Sequence, residues 1–116
     1  MRDLLLQAAG AVAILGALVH AVIGERRVFT RARIEPPRLR LLIWLVWQAF
    51  TLAWIACGVL LFAAPWMGSE PARHWIVATL VPVFAFAAFA NAFASRGRHF
   101  GWMILGAVVG MAVAGY

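Results

Sequence analysis

Lysine is absent from these 116 residues, cysteine occurs once, and acidic residues occur only four times (Asp3, Glu25, Glu35 and Glu70). Each scarcity removes a class of protein. A single cysteine, Cys57, excludes a disulfide framework and a thiolate zinc cluster, and its place inside an apolar block reads as a small buried side chain. Four carboxylates cannot cover a core with charged surface, which excludes an ordinary soluble domain. Also missing are G-x-S-x-G, H-E-x-x-H, a glycine-rich phosphate loop and paired carboxylates, so no catalytic signature stands out. What remains is 66% hydrophobic and 12% charged, with a mean hydropathy of +0.93. The apolar residues fall in long blocks almost free of charge, the pattern of a chain solvated by lipid.

Four blocks approach the length needed to cross ~30 Å of hydrocarbon as helices: Leu4–Gly24, Leu41–Ala64, Trp75–Ser95 and Phe100–Tyr116. The composition therefore predicts an all-α, polytopic membrane protein, with residues 1–116 forming one four-transmembrane-helix bundle. The last block is short and should stand upright or end in the interface. The first has an apolar core longer than that of a signal peptide and is followed by a basic stretch, so it reads as a permanent span.

Arginine placement predicts orientation. Arg26, Arg27, Arg31, Arg33, Arg38 and Arg40 lie in the loop 25–40, and Arg96 and Arg98 lie in the loop 96–99. Only Arg2 and Arg73 lie on the other side, a bias of eight to two. The positive-inside rule then puts both arginine-rich loops in the cytoplasm, against the anionic inner leaflet, and both termini in the periplasm. Trp66, Trp75 and Tyr116 mark the outer interface, and Trp44, Trp47 and Trp102 the inner one. Val28, Phe29, Ile34 and Leu39 interleave with the arginines, which predicts a loop lying along the headgroups. Pro36 and Pro37 suit the start of helix two, and Pro82 should bend helix three.

Small residues supply packing surfaces: Ala9, Ala13, Ala17 and Ala21 on helix one, and Gly106, Gly110 and Ala114 on helix four. They serve either the bundle itself or a partner helix. Polar residues inside spans are the functional candidates, because inserting each one costs free energy. His20, Gln48 and Asn91 fall at similar depth near the cytoplasmic ends of their helices, with Thr51 beside Gln48 and His99 at the start of helix four. They form either a pocket for a headgroup, quinone, ion or proton, or a hydrogen-bond cluster that locks the helices together.

Haem b would need a facing ligand for His20, for which Met103 matches in depth and His99 less well. Glu25 is flanked by Arg26 and Arg27 and is expected to pair with them. No acidic residue lies inside a span, unlike the small multidrug resistance transporters, and the filter motif of the small fluoride channels is missing. No metal site is expected, nor a nucleic-acid partner, since the arginines serve the membrane-facing loops.

The stretches "HAVIGE" (20–25), "LVWQAFTLAW" (45–54) and "RGRHFGW" (96–102) resemble a group of small, uncharacterised four-span membrane proteins of proteobacteria. In that group a helix-one histidine precedes a Gly-Glu pair, and a Trp-His pair often begins helix two. Here Trp47 is followed by Gln48; if the group's histidine is a ligand, this departure argues against metal or haem in this protein. The resemblance implies the topology and no activity. A chain with so little mass outside the membrane is expected to be a non-catalytic accessory subunit of a larger inner-membrane complex, of the respiratory or photosynthetic kind. The alternative expectation is a quinone-, lipid- or hydrophobe-binding protein using the polar pocket. An oligomeric channel or transporter is the third.

Overall fold

A computed structural model describes residues 1–116 as an all-helical chain. Helix α1 spans Arg2–Ile23 and widens into one π-helical turn, Gly24–Val28. Helix α2 spans Pro37–Ala63 and tightens into a 3-10 turn, Ala64–Met67; α3 spans Glu70–Ser95 and α4 spans Gly101–Ala114. With their terminal turns, the first three run for 27, 31 and 26 residues, and each is long and apolar enough to cross a membrane. At 14 residues, α4 is shorter.

The first three helices begin earlier than their apolar blocks, at Arg2, Pro37 and Glu70 instead of Leu4, Leu41 and Trp75. Charge and proline are tolerated in a first helical turn, where the N–H groups have no intrahelical partner. Pro37 opens α2 from an extended Pro36. Ser69 caps α3 by accepting the Ala72 N–H at 3.3 Å, and Glu70 follows at the positive end of the helix dipole. The arginine-rich loop shrinks accordingly: Gly24–Val28 is helical, and only residues 29–36 link it to α2. Helix α3 runs through Pro82 without interruption. It ends on Arg96 and Gly97, both left-handed (φ 52° and 73°), with the Gly97 N–H donating to Ala92 O at 2.8 Å.

The helices run alternately up and down. Gly10 of α1 faces Gly58 of α2, His20 meets Thr51, Leu6 meets Gly115, and Asn91 of α3 lies beside Gly101. Helix α1 is central, packing against α2 on one side and α4 on another, while α3 packs mainly on α4 and barely touches α2. Consequently Arg26, Arg27, Arg31, Arg33, Arg38, Arg40, Arg96 and Arg98 all project, exposed, from one end of a molecule 49 Å long.

Only 20 of the 116 residues are buried, and many large apolar side chains, Leu4, Leu52, Phe86 and Phe93 among them, are exposed, a surface compatible with lipid. Association in lipid rests on close packing, and two glycines make the α1–α2 crossing possible. A Cβ on Gly10 would lie 2.5 Å from Gly58 O and Phe62 N, and one on Gly58 would lie 2.9 Å from Gly10 O. The α1 ladder faces inward, with Ala9, Ala13 and Ala17 fully covered and Ala21 half-buried. Around it Leu6, Leu61, Val77, Leu80, Phe84, Leu105 and Val108 form the core. Helix α4 behaves differently. Leu105, Val108 and Ala112 face the core, whereas nothing lies within 4 Å of a Cβ built on Gly106 or Gly110, and Ala114 is exposed.

The terminal end is tied by polar contacts. The buried Arg73 guanidinium pairs with Asp3, Arg2 lies 3.9 Å from Glu70, and His74 Nδ1 shares a hydrogen bond of 2.5 Å with the Tyr116 hydroxyl.

Candidate functional site

The five predicted pocket residues lie at the arginine-rich end, but in three separate places. The first is a closed circuit between α1 and α2. Trp47 Nε1–H donates to His20 O at 3.3 Å, the Thr51 hydroxyl donates to Trp47 O at 3.0 Å, and Thr51 Oγ1 lies 3.1 Å from His20 Nδ1. With its own proton committed to Trp47 O, Thr51 Oγ1 acts as the acceptor, which places the imidazole proton on Nδ1. The imidazole stacks face to face on the Trp47 indole (centroids 4.1 Å apart, planes within 7°), with Phe50 at 5.9 Å and Trp54 at 5.4 Å around it. Gly24 makes this approach possible: a Cβ there would lie 2.3 Å from Trp47 Nε1.

The second place is the π-helical turn. Glu25 Oε1 accepts two neutral hydrogen bonds, from Trp44 Nε1–H at 2.5 Å and from Gln48 Nε2–H at 2.7 Å. Trp44 and Gln48 stand one turn apart on α2 and so reach the same oxygen. The expected pairing of Glu25 with Arg26 and Arg27 does not occur; both ion pairs of the chain lie at the other end. The adjacent link is pinned by the Arg40 guanidinium, which donates to Phe29 O at 2.5 Å. Phe29, expected at the headgroups, is instead buried with its ring edge-on to Trp47 at 5.7 Å.

The third place is the α3–α4 turn. His99 Nδ1 accepts the Gly101 N–H at 3.1 Å, the Ser95 hydroxyl accepts the His99 N–H at 3.3 Å, and Asn91 Nδ2 lies 3.0 Å from where a Gly101 Cβ would be. Asn91 Oδ1 is buried without a hydrogen-bond partner, as is Trp54 Nε1.

Of the five predicted pocket residues, His20 and Thr51 therefore meet, Gln48 turns to Glu25, and Asn91 and His99 belong to a different corner. Met103, matched to His20 in depth, is 58% exposed and points away from the bundle. No three His, Cys, Asp or Glu side chains come close enough to share a metal ion. The arrangement clamps the end of α1 and its π-helical turn to the first half of α2 through an aromatic stack and four hydrogen bonds between them.

The sequence placed Glu25 and Phe29 against other partners than those they have, and the Asp3–Arg73 pair was not anticipated. The signal for Glu25 was present in the i, i+4 placement of Trp44 and Gln48, two donors looking for one acceptor. No protein family, curated protein or solved structure matches this chain.

Proposed function

We propose that this protein is a non-catalytic accessory subunit of a bacterial inner-membrane complex, docked through the outer face of α4, with its arginine-rich end in the cytoplasm and its termini in the periplasm. The observation that carries this reading is the open glycine surface. Met103, Gly106, Ala107, Gly110, Val113 and Ala114 are all exposed, and their spacing of three and four puts them on one stripe of α4. Lipid gains nothing from a flat glycine surface, whereas a second helix can approach it closely and collect dispersion contacts along its length. The same residue type on α1 is consumed inside the bundle, which leaves the α4 stripe as the surplus. The orientation rests on the arginine bias, since all eight exposed arginines of the two loops leave from one end.

Mild solubilisation of native membranes, followed by a native gel and mass spectrometry of the band, tests the docking. The wild-type chain should migrate with a larger, stoichiometric assembly, and Gly106→Leu or Gly110→Leu should release it while His20→Ala, Gln48→Ala and Asn91→Ala do not. Migration of the wild type as a small particle of this chain alone would overturn the reading.

A further inference from the structure

Between the π-helical turn and the first turns of α2 lies a hollow of about 320 Å³ lined by Glu25, Phe29, Pro37, Arg40, Leu41 and Trp44. It contains one carboxylate and one guanidinium, and they do not pair with each other. Each is instead held in place by neutral groups. Glu25 Oε1 is oriented by Trp44 and Gln48, which leaves Oε2 without a protein donor, and Arg40 is anchored by one nitrogen on Phe29 O, which leaves its other N–H groups free. The rest of the wall is apolar, and Leu41 and Leu45, both exposed, carry the apolar surface from the hollow down the outside of α2.

We infer that this hollow binds the headgroup of a zwitterionic phospholipid carrying a primary ammonium, with the ammonium on Glu25 and the phosphate on Arg40. The shared chemistry is that of a phosphoethanolamine diester; the apolar continuation along Leu41 and Leu45 selects the lipid form, since acyl chains have a surface to lie on. The carboxylate decides the class. Every other exposed charge at this end is an arginine or the lone Glu35, so anionic headgroups can be held all over it, but Glu25 repels them from this hollow. A choline headgroup has no N–H to give to Oε2, whereas an ammonium has three. The inference takes only the membrane setting from the proposed function and does not depend on the α4 face.

Native mass spectrometry of the purified chain, offered palmitoyl-oleoyl phosphatidylethanolamine, phosphatidylcholine and phosphatidylglycerol in equal amounts, tests it. The wild type should retain the ethanolamine lipid over the other two by about tenfold, the ratio expected when one charge-assisted hydrogen bond is gained. Glu25→Gln keeps an acceptor for Trp44 and Gln48, so the fold should persist in circular dichroism while binding of the ethanolamine lipid falls to the choline level. Arg40→Gln should weaken binding of the ethanolamine lipid without touching Glu25, and so serves if the first variant unfolds. Soluble glycerophosphoethanolamine at the same concentration should not displace the lipid; displacement would overturn the lipid commitment. Equal or stronger retention of phosphatidylglycerol by the wild type, or an undiminished ethanolamine preference in Glu25→Gln, would overturn the site. Gly110→Leu should leave this binding unchanged, so the docking reading and this one fail separately.

Discussion

At the scale of single residues, the clamp between α1 and α2 depends on what is small as much as on what is polar. Gly24 has no side chain because the Trp47 indole occupies that space. Gly24→Ala must push the ring away, breaking both its stack on His20 and its bond to His20 O, and overpacking of this kind costs about 1–3 kcal/mol. The expected result is a lower denaturant midpoint in detergent together with a changed tryptophan emission; an unchanged spectrum would mean that the indole does not sit against Gly24. Thr51→Val keeps the shape of the side chain but removes a donor to Trp47 O and an acceptor for His20 Nδ1. Such contacts in membranes are worth about 0.6–2 kcal/mol, and the loss should appear as a matching fall in unfolding free energy. At the other end Asp3→Asn removes the only ionic partner of the buried Arg73, which should cost about 1–3 kcal/mol in the same measurement.

At the scale of helices, two glycine motifs do opposite jobs, and substitution separates them. Gly10 and Gly58 sit at a backbone contact, where a larger side chain would have to separate α1 from α2. Gly58→Leu should therefore prevent the monomer from folding, read as lost resistance to denaturant and proteolysis. Gly106→Leu points into open space, and the isolated chain should be as stable as the wild type. Equal damage from both would contradict the outward placement of the α4 face. This difference also marks where reading from sequence stopped. The long apolar helices and their shared arginine-rich end were legible because both are written in the order of apolar and charged residues along the chain, and the ladder at Ala9, Ala13 and Ala17 was legible as a packing surface. Depth along each helix followed from residue counting, which is why His20, Gln48 and Asn91 fell at one level. Rotation about the helix axes did not follow, because a helix that is apolar all round carries little amphipathic signal to say which face turns inward. Asn91 accordingly belongs beside Gly101 and not beside His20, and Gly106 faces out where Ala13 faces in.

At the scale of the whole molecule, the order of helices and the distribution of charge work together. Because α1 lies between α2 and α4, the two arginine-bearing connections emerge at one end from different sides of the bundle. The terminal end has only Arg2 and Arg73, both matched by carboxylates, so its net attraction to anionic lipid is small. The proposed orientation, with the arginine end in the cytoplasm, rests on this asymmetry, at roughly 1 kcal/mol per basic residue near an anionic inner surface. Cysteine labelling of intact cells tests it. Cys57→Ala first removes the single native thiol, which lies half-buried against the core and tolerates a smaller apolar replacement. In that background Met67→Cys marks the end of α2 and Thr30→Cys marks the arginine-rich link, both at exposed positions. A membrane-impermeant maleimide should label the Met67 site in intact cells and the Thr30 site only after permeabilisation. The reverse pattern would invert the topology, and labelling of both sites in intact cells would mean that eight exposed arginines against two paired ones do not fix the orientation of this bundle.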